Sequence, residues 1–292
     1  MDTDMVRNNL RNDMKETCHS PLQPKPLMQR RSSSQRGMYN ARYEHDNCGV
    51  GFVASVDGRR SHDTVRKAIR ILERLEHRGA AGGDKNTGDG AGLLMQLPDT
   101  FFRKAAEDLS VALPDAGQYG VAVFFMPREK NAFRQCRKHI HQCLEEAGLT
   151  SLGWRNVPTD ARSLGPQARA CRPRIQHQFI SSEAPCSPDE LERRLFIARR
   201  GIEKRVREQC SDISNLFYIP SMSSRTLVYK GLLLARQLPR FYPDLQNDAM
   251  ETALVLLHQR YSTNTFPSWP LAQPFHFLAH NGEINTLRGN IN

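Results

Sequence analysis

One cysteine stands where it could act as a nucleophile. Cys48 begins an alternating apolar segment directly after a stretch with little hydrophobic periodicity. If the bond between Asn47 and Cys48 were cleaved, the new α-amino group, with a pKa of about 8, could serve as the base for the thiol of the same residue. The alternative for such a cysteine is a structural role, as a small buried side chain at the start of a strand.

Attack on a carbonyl requires further groups besides the nucleophile. An arginine and an Asn-Gly pair could supply them. Arg260 follows an apolar run, and its planar guanidinium can hold a carboxylate through two parallel hydrogen bonds. The side-chain amide of Asn281 and the backbone N–H of Gly282 could both donate to a developing oxyanion. Taken alone, such residues more often form a surface cation and a hairpin turn.

A glycine-rich loop, residues 82–92, precedes another apolar run. It lacks the G-K-[ST] ending of a P-loop, and a strand pattern rather than a helix pattern follows it, so the sequence does not favour a nucleotide site. We expect this loop either to bring its backbone close to a functional site or to form a plain turn.

The elements that must position these residues follow from hydrophobic periodicity. The sequence predicts strands over residues 48–56, 93–97, 119–126, 216–219, 226–229, 253–257 and 275–279. It predicts helices over residues 65–75, 133–147 and 191–206, and a loop-rich region over residues 154–173. The last helix is preceded by a capping box that starts at Ser187, with Pro188 at its first position. Strands broken by a few helices, with no repeating βαβ unit, indicate the α+β class.

Composition limits the class of protein further. The 292 residues carry a net charge of +10, and the basic residues are scattered among acidic ones, which predicts a solvated surface rather than a nucleic-acid site. No apolar run is long enough to span a membrane. The seven cysteines are widely spaced without a C-x-x-C pair, so we expect no disulfide framework and no metal site. With no signal peptide in view, the sequence predicts a cytoplasmic protein.

The chain is predicted to consist of two parts. Residues 1–47 have little hydrophobic periodicity and include Pro21, Pro24 and Pro26, which favours a largely disordered leader. Ordered structure is expected to begin near Cys48, so that residues 48–292 form one domain.

Together these motifs resemble the class II glutamine amidotransferases, enzymes with an N-terminal cysteine nucleophile. The motifs that carry the resemblance are Asp46-Asn-Cys48-Gly, His77-Arg-Gly79, His258-Gln-Arg-Tyr-Ser-Thr263 and His280-Asn-Gly-Glu283. Within that family the sequence is most similar to the large chains of glutamate synthases, in residues 75–80, 87–90, 193–200, 238–242 and 262–275. The resemblance covers about residues 42–292.

The resemblance implies a fold and a set of roles. The fold would be the four-layer αββα sandwich of the Ntn hydrolases, incomplete at its C-terminal end. Cys48 would become the N-terminal nucleophile once residues 1–47 are removed, and Asn281 and Gly282 would form the oxyanion hole. Arg260 would hold the glutamine α-carboxylate. The remaining assignments are Thr263 and Glu283 in the same pocket and Arg78 as a supporting residue near it.

The resemblance also implies cofactors and partners beyond this chain. Ammonia from L-glutamine would pass to a synthase domain that converts 2-oxoglutarate to glutamate with FMN, an iron–sulfur cluster and NAD(P)H or ferredoxin. A small electron-donating subunit and an oligomer are compatible with this scheme, whereas no nucleic acid, membrane or cofactor is expected to bind residues 48–292. The sequence would end before the aspartate that holds the glutamine amino group, so the chain alone is expected to be an inactive fragment.

Two alternatives stay open at this stage. The chain could be a class II amidotransferase that serves another acceptor, such as a sugar phosphate or aspartate. It could also be a noncatalytic basic interaction domain that kept the fold and lost the site.

Overall fold

The computed structural model describes residues 49–260 and 266–280, with the side chains of residues 211–213 left aside. These residues belong to one unit, residues 47–292. Their strands and α-helices are, in chain order, β1 (Val50–Ala54), α1 (His62–Arg74), β2 (Ala91–Gln96), α2 (Asp99–Glu107), β3 (Tyr119–Met126), α3 (Lys130–Glu146), β4 (Leu149–Asn156), α4 (Pro166–Ala170), β5 (Arg174–Ser182), α5 (Pro188–Gln209), β6 (Tyr218–Ser223), β7 (Thr226–Gly231), α6 (Leu238–Phe241) and β8 (Leu254–Gln259). The predicted leader, residues 1–47, lies outside the described residues and stays a prediction.

The first sheet places a late strand between two early ones. Its strand order is β1-β8-β2-β7, and every neighbouring pair is antiparallel. The register aligns His258 of β8 with Val50 of β1 on one side and with Gly92 of β2 on the other. Segments about two hundred residues apart in sequence therefore meet at the same end of this sheet's strands.

The second sheet is also antiparallel, in the order β4-β5-β3-β6, and is buried on both faces. On β3, Val121 and Phe125 belong to the larger core, which also contains residues of α1 and of the first sheet. Phe124 and Met126 alternate with them and belong to a second core, formed with α3 and α5. This alternation explains why β3 is a nearly continuous apolar run.

Helix α1 covers the first sheet. It begins after Ser61, whose hydroxyl accepts a hydrogen bond of 3.4 Å from the N–H of Thr64. Val65, Ala68 and Leu72, spaced three and four residues apart, are fully buried and form its apolar face. The helix packs on β1 and β8 and so braces the two strands that lead to the candidate site.

Helices α3 and α5 cover the second sheet. The predicted start of α5 is confirmed, because the Ser187 hydroxyl accepts a hydrogen bond from the N–H of Glu190 at 3.2 Å and Pro188 takes the first helical position. Cys136 and Cys143 of α3 are buried in the second core and pack there as small apolar side chains. With α1 on one sheet and α3 and α5 on the other, the α+β class is confirmed, in the expected αββα arrangement.

Some predicted elements are wrong. Residues 275–279 are not a strand; instead the N–H of Phe275 donates to the carbonyl of Leu278 across a turn, at 2.8 Å. The first residues of the region predicted to be loop-rich belong to β4, and β5 and α2 were not predicted. Strand β5 could not be recognised from the sequence because it carries polar residues that are buried in the fold. Gln176 and Gln178 donate to side-chain oxygens of β4 at 2.8 Å each.

Among the helices that the structure describes, none combines the length and the apolar character needed to cross a membrane.

Candidate active site

The candidate site lies where β8 ends between β1 and β2. The backbone N–H of Gln259 donates to the carbonyl of Gly49 at 2.7 Å, and the N–H of Arg260 donates to the carbonyl of Gly90 at 2.8 Å. Gly49 is bonded directly to Cys48 in the chain. The backbone of β8 therefore brings together Arg260, the glycine-rich loop and the residue that adjoins the predicted nucleophile.

The glycine-rich loop approaches the site through its backbone. Gly90 has a φ of +142°, which favours glycine, and a Cβ there would lie 3.0 Å from both Cα and Cβ of Ala272. Two residues further on, a Cβ on Gly92 would lie 2.5 Å from the carbonyl oxygen of Gln273. The loop therefore makes a close backbone approach to the segment that contains Ala272 and Gln273 and to Arg260, and a role of this approach in a functional site stays a prediction.

Arg260 provides a half-buried cation beside a buried carboxylate. Burial lowers the pKa of the guanidinium below its ordinary value, and the charge of Asp89 opposes that shift. Asp89 itself is 4% exposed and belongs to the glycine-rich loop. An arginine stays protonated under such conditions, so Arg260 carries a planar, charged fork that suits a substrate carboxylate.

His258 fixes the segment that precedes the Asn-Gly pair. Its Nε2 lies 2.8 Å from the carbonyl oxygen of His280, and because a carbonyl can only accept, Nε2 must carry the hydrogen. Burial lowers the pKa of His258 to about 4, so the ring is neutral at pH 7. The N–H of His280 in turn donates to Oε1 of Gln273 at 2.9 Å. His280 is bonded to Asn281.

Arg78 and Gly79 lie next to the end of β8. Arg78 closes a short 3₁₀ turn after α1, and Gly79 follows it. A Cβ on Gly79 would lie 2.0 Å from Nε2 of the fully buried Gln259. The His-Arg-Gly motif therefore needs its glycine for close packing against the residue that precedes Arg260.

Two of the seven predicted site residues, Arg78 and Arg260, are within the part that the structure describes. The other five lie outside it, and their roles stay predictions: Cys48, Thr263, Asn281, Gly282 and Glu283. Their described chain neighbours Gly49, Arg260 and His280 are joined through β8.

Comparison with known proteins identifies the family. The sequence profile of a family described as "Glutamine amidotransferases class-II" matches residues 48–292. The chain belongs to the class II glutamine amidotransferases. This assignment of the amidotransferase domain agrees with the resemblance carried by the four motifs.

Individual relatives of this class II amidotransferase chain are much longer proteins. The glutamate synthase [NADPH] large chain of Bacillus subtilis (strain 168) is 42% identical over 258 residues, which cover 88% of this chain and 17% of that protein. The protein of the same name from Azospirillum brasilense is 44% identical over 256 residues, or 87% of this chain and 17% of the relative. Ferredoxin-dependent glutamate synthase 1, chloroplastic/mitochondrial, of Arabidopsis thaliana is 42% identical over 249 residues, 85% and 15% of the two chains. The chain thus spans about a sixth of the length of these relatives and is homologous to their glutaminase part.

Several residues around the amidotransferase site were not assigned a role from sequence. Asp89 and Gln273 lie in loops, where nothing in the pattern distinguishes them from solvent-exposed polar residues. Lys230 follows the four residues predicted as a strand, 226–229, and is fully buried on β7. The one signal available from the sequence was that Lys230 belongs to an apolar strand. On a strand face that is otherwise buried, an exposed lysine would be unusual.

Proposed function

We propose that residues 48–292 hydrolyse the side-chain amide of L-glutamine, with Cys48 as an N-terminal nucleophile. The observation that carries the proposal is the meeting of three chain segments at the end of β8: Gly49, Arg260 and His280 are joined by backbone and side-chain hydrogen bonds. Each of the three is, or directly adjoins, a residue to which the family resemblance assigns a role. The meeting of these segments is what a nucleophile, a carboxylate clamp and an oxyanion hole require.

The reaction follows from the groups assigned to the site. The Cys48 thiol gives its proton to the α-amino group, and the thiolate sulfur attacks the amide carbon of glutamine. Asn281 and Gly282 donate to the oxyanion of the tetrahedral intermediate. The C–N bond then breaks, the nitrogen takes the proton and leaves as ammonia, and a thioester forms. Water hydrolyses the thioester to release glutamate and restore the thiol.

Binding of glutamine would depend on charge as well as shape. Arg260 holds the α-carboxylate, with the Asp89 carboxylate nearby keeping the guanidinium charged. Thr263 and Glu283 are assigned to the walls of the same pocket. Arg78 is assigned a supporting role, in keeping with the packing of its motif against Gln259.

We assign the acceptor chemistry to polypeptide that this sequence does not contain. The ammonia would serve the conversion of 2-oxoglutarate to glutamate, with FMN, an iron–sulfur cluster and NAD(P)H or ferredoxin as cofactors and donors. The names of the relatives mention NADPH and ferredoxin. An iron–sulfur cluster requires several cysteine thiolates at one place, and within residues 49–260 and 266–280 no group of three His, Cys, Asp or Glu side chains could hold a metal ion. The described residues therefore do not fit that cluster. A cytoplasmic location stays a prediction.

The proposal is tested by mass and by covalent trapping. The purified full-length protein is sequenced from its N-terminus, and its intact mass is measured before and after incubation with a diazoketone analogue of glutamine, a reagent whose diazo carbon a thiolate attacks, so that N₂ leaves and a stable thioether forms. We expect a chain that begins at Cys48 and gains one adduct on that residue. Free glutamine should protect it.

A matched pair of variants separates the nucleophile from other thiols. Cys48→Ser should abolish the adduct, whereas Cys171→Ser, at an exposed cysteine on the far end of α4, should retain it. A chain that begins at Met1 and takes up no reagent at Cys48 would contradict the proposal and favour an interaction domain. Ammonia transfer to an acceptor other than 2-oxoglutarate in the longer protein would contradict the assigned acceptor alone.

A further inference from the structure

Lys230 is buried on the same face of the first sheet as His258. The register pairs Lys230 of β7 with Gly92 of β2, and Gly92 with His258 of β8. Lys230 is 0% exposed. Because Gly92 has no side chain, the carbonyl of Gln273 can lie between the two; a Cβ on Gly92 would come 2.6 Å from Cβ of Lys230. The row formed by Lys230, Gly92 and His258 therefore has room for a chain segment above it.

The segment above this row is the one that leads to His280. Nζ of Lys230 donates to the carbonyl oxygens of Pro270 and Ala272, at 2.9 and 2.7 Å, and lies 3.3 Å from the hydroxyl of Tyr218. It also lies over the rings of Tyr218 and Phe275, at 4.5 and 4.8 Å from their centroids. Two of its three polar contacts thus fix the backbone of one segment, residues 270–275.

The same segment holds the backbone that precedes the Asn-Gly pair. Gln273, one residue beyond Ala272, accepts a hydrogen bond from the N–H of His280 through Oε1, and the carbonyl of His280 contacts His258. A continuous series of contacts therefore runs from Lys230 through residues 270–273 to His280, which adjoins Asn281 in the chain.

Placing a lysine at this buried position costs free energy. Burying an amine costs free energy unless its hydrogen bonds are replaced, and within the described residues Nζ contacts neutral oxygens, the Tyr218 hydroxyl and the carbonyls of Pro270 and Ala272. The charges of Arg199 and Arg260 add to burial in lowering the pKa of Lys230 well below its ordinary value. An apolar side chain would fill the same space between Tyr218 and Phe275 without this cost. What it would not supply is the pair of donors to residues 270 and 272.

We propose that Lys230 is a positioning residue for the glutaminase reaction: it clamps residues 270–272 to the first sheet so that Asn281 and Gly282 are held in place to stabilise the oxyanion. The proposal rests on the function proposed above. Arg260, by contrast, is held by β8 itself through Gly90. Loss of the clamp should therefore slow the attack of Cys48 without weakening the binding of glutamine.

The test compares Lys230→Met with Lys67→Met in the full-length protein, processed so that it begins at Cys48. Methionine keeps the apolar contact with the two rings but has no donor, and Lys67 is an exposed lysine on α1 with a side chain 62% exposed. The probe is the diazoketone analogue of glutamine, and the readouts are the limiting rate of labelling and the concentration that gives half that rate. For Lys230→Met we expect a limiting rate lower by about 10- to 100-fold, because small misplacements of reacting groups cost that much. The half-saturating concentration should change less than about threefold.

Other variants fix the meaning of that result. Lys67→Met should behave like the parent, and Arg260→Lys should show the opposite split, with a raised half-saturating concentration. Amide hydrogen exchange gives a readout that does not depend on activity: in Lys230→Met the N–H groups of Phe275 and His280 should exchange faster, while those of β3 stay protected. If Lys230→Met fails to fold, Gln273→Leu removes the next contact in the series and should lower the limiting rate in the same way.

Three results would overturn the proposal. The first is that Lys230→Met changes neither the labelling nor the amide exchange. The second is that Lys230→Met raises the half-saturating concentration and leaves the limiting rate unchanged. The third is that the effects of Lys230→Met and Gln273→Leu add independently in the double variant. If the parent is never labelled at Cys48 but exchange at residues 275 and 280 still rises in Lys230→Met, the proposed function fails and the clamp stands.

Discussion

Protonation of His258 is expected to destabilise the fold as the pH falls from 7 to 5. The residue is 1% exposed, and burial lowers its pKa from 6.5 to about 4. In this range the unfolded chain binds a proton that the folded chain does not, so the free energy of unfolding decreases as the pH falls. The two pKa values give a loss of about 2 kcal/mol from this residue between pH 7 and pH 5.

The variant His258→Gln removes the titrating ring and keeps an amide donor of similar reach. We would measure the free energy of unfolding in urea for parent and variant at both pH values. The variant should lose about 2 kcal/mol less than the parent on acidification. His177 and His276, whose pKa values burial lowers to about 3, contribute to both proteins and cancel in the comparison.

The reasoning is refuted if parent and His258→Gln lose the same free energy between the two pH values. Any loss of stability caused by the substitution itself appears at both pH values and does not affect this difference. His141→Gln, made at a histidine of α3 whose side chain is 67% exposed, is the control and should follow the parent.

Three further substitutions test contacts elsewhere in the chain. Gly79→Ala would place a Cβ 2.0 Å from Gln259, so we expect a loss of about 1–3 kcal/mol, seen as a lower thermal midpoint; an unchanged midpoint would argue against this close contact. Asp244→Ala would leave the buried guanidinium of Arg155 without its two-bond partner at 2.7 and 2.8 Å, at a cost of about 3–5 kcal/mol in urea unfolding; a loss under about 1 kcal/mol would mean that the pair is hydrated. Ser187→Ala should cost about 1 kcal/mol by removing the N-cap of α5, and Ser187→Asp, which keeps an acceptor, should restore most of it.

Elements with a strong apolar pattern were predictable from the sequence, and those that bury polar side chains were not. Strand β3 was predicted with its observed bounds because apolar side chains pack against both of its faces. Strand β5 lies beside it but carries Gln176, His177 and Gln178, whose side-chain hydrogen-bond partners come from β4. Local sequence cannot show that such polar side chains will be hydrogen-bonded inside a fold.

The candidate site likewise contains a residue whose position was predictable from the sequence and one whose role was not. The position of Arg260 at the end of a strand was predicted, because an apolar run ends just before it. The role proposed for Lys230 was not, since a lysine in a strand normally faces solvent. What buries it is a segment some forty residues further along the chain, and the sequence offers no pattern that places residues 270–275 over β7.

The strand order of the first sheet also dictates when the site can form. Strand β1 leaves the ribosome early, yet its described partner is β8, which is made about two hundred residues later. Until β8 inserts between β1 and β2, the segment that adjoins Cys48 has neither its hydrogen bond to Gln259 nor a neighbouring Arg260. The chemistry proposed for Cys48 depends on this arrangement and must therefore wait until residue 260 has been synthesised and packed. The strand order thus makes the activity proposed for Cys48 depend on completion of the first sheet.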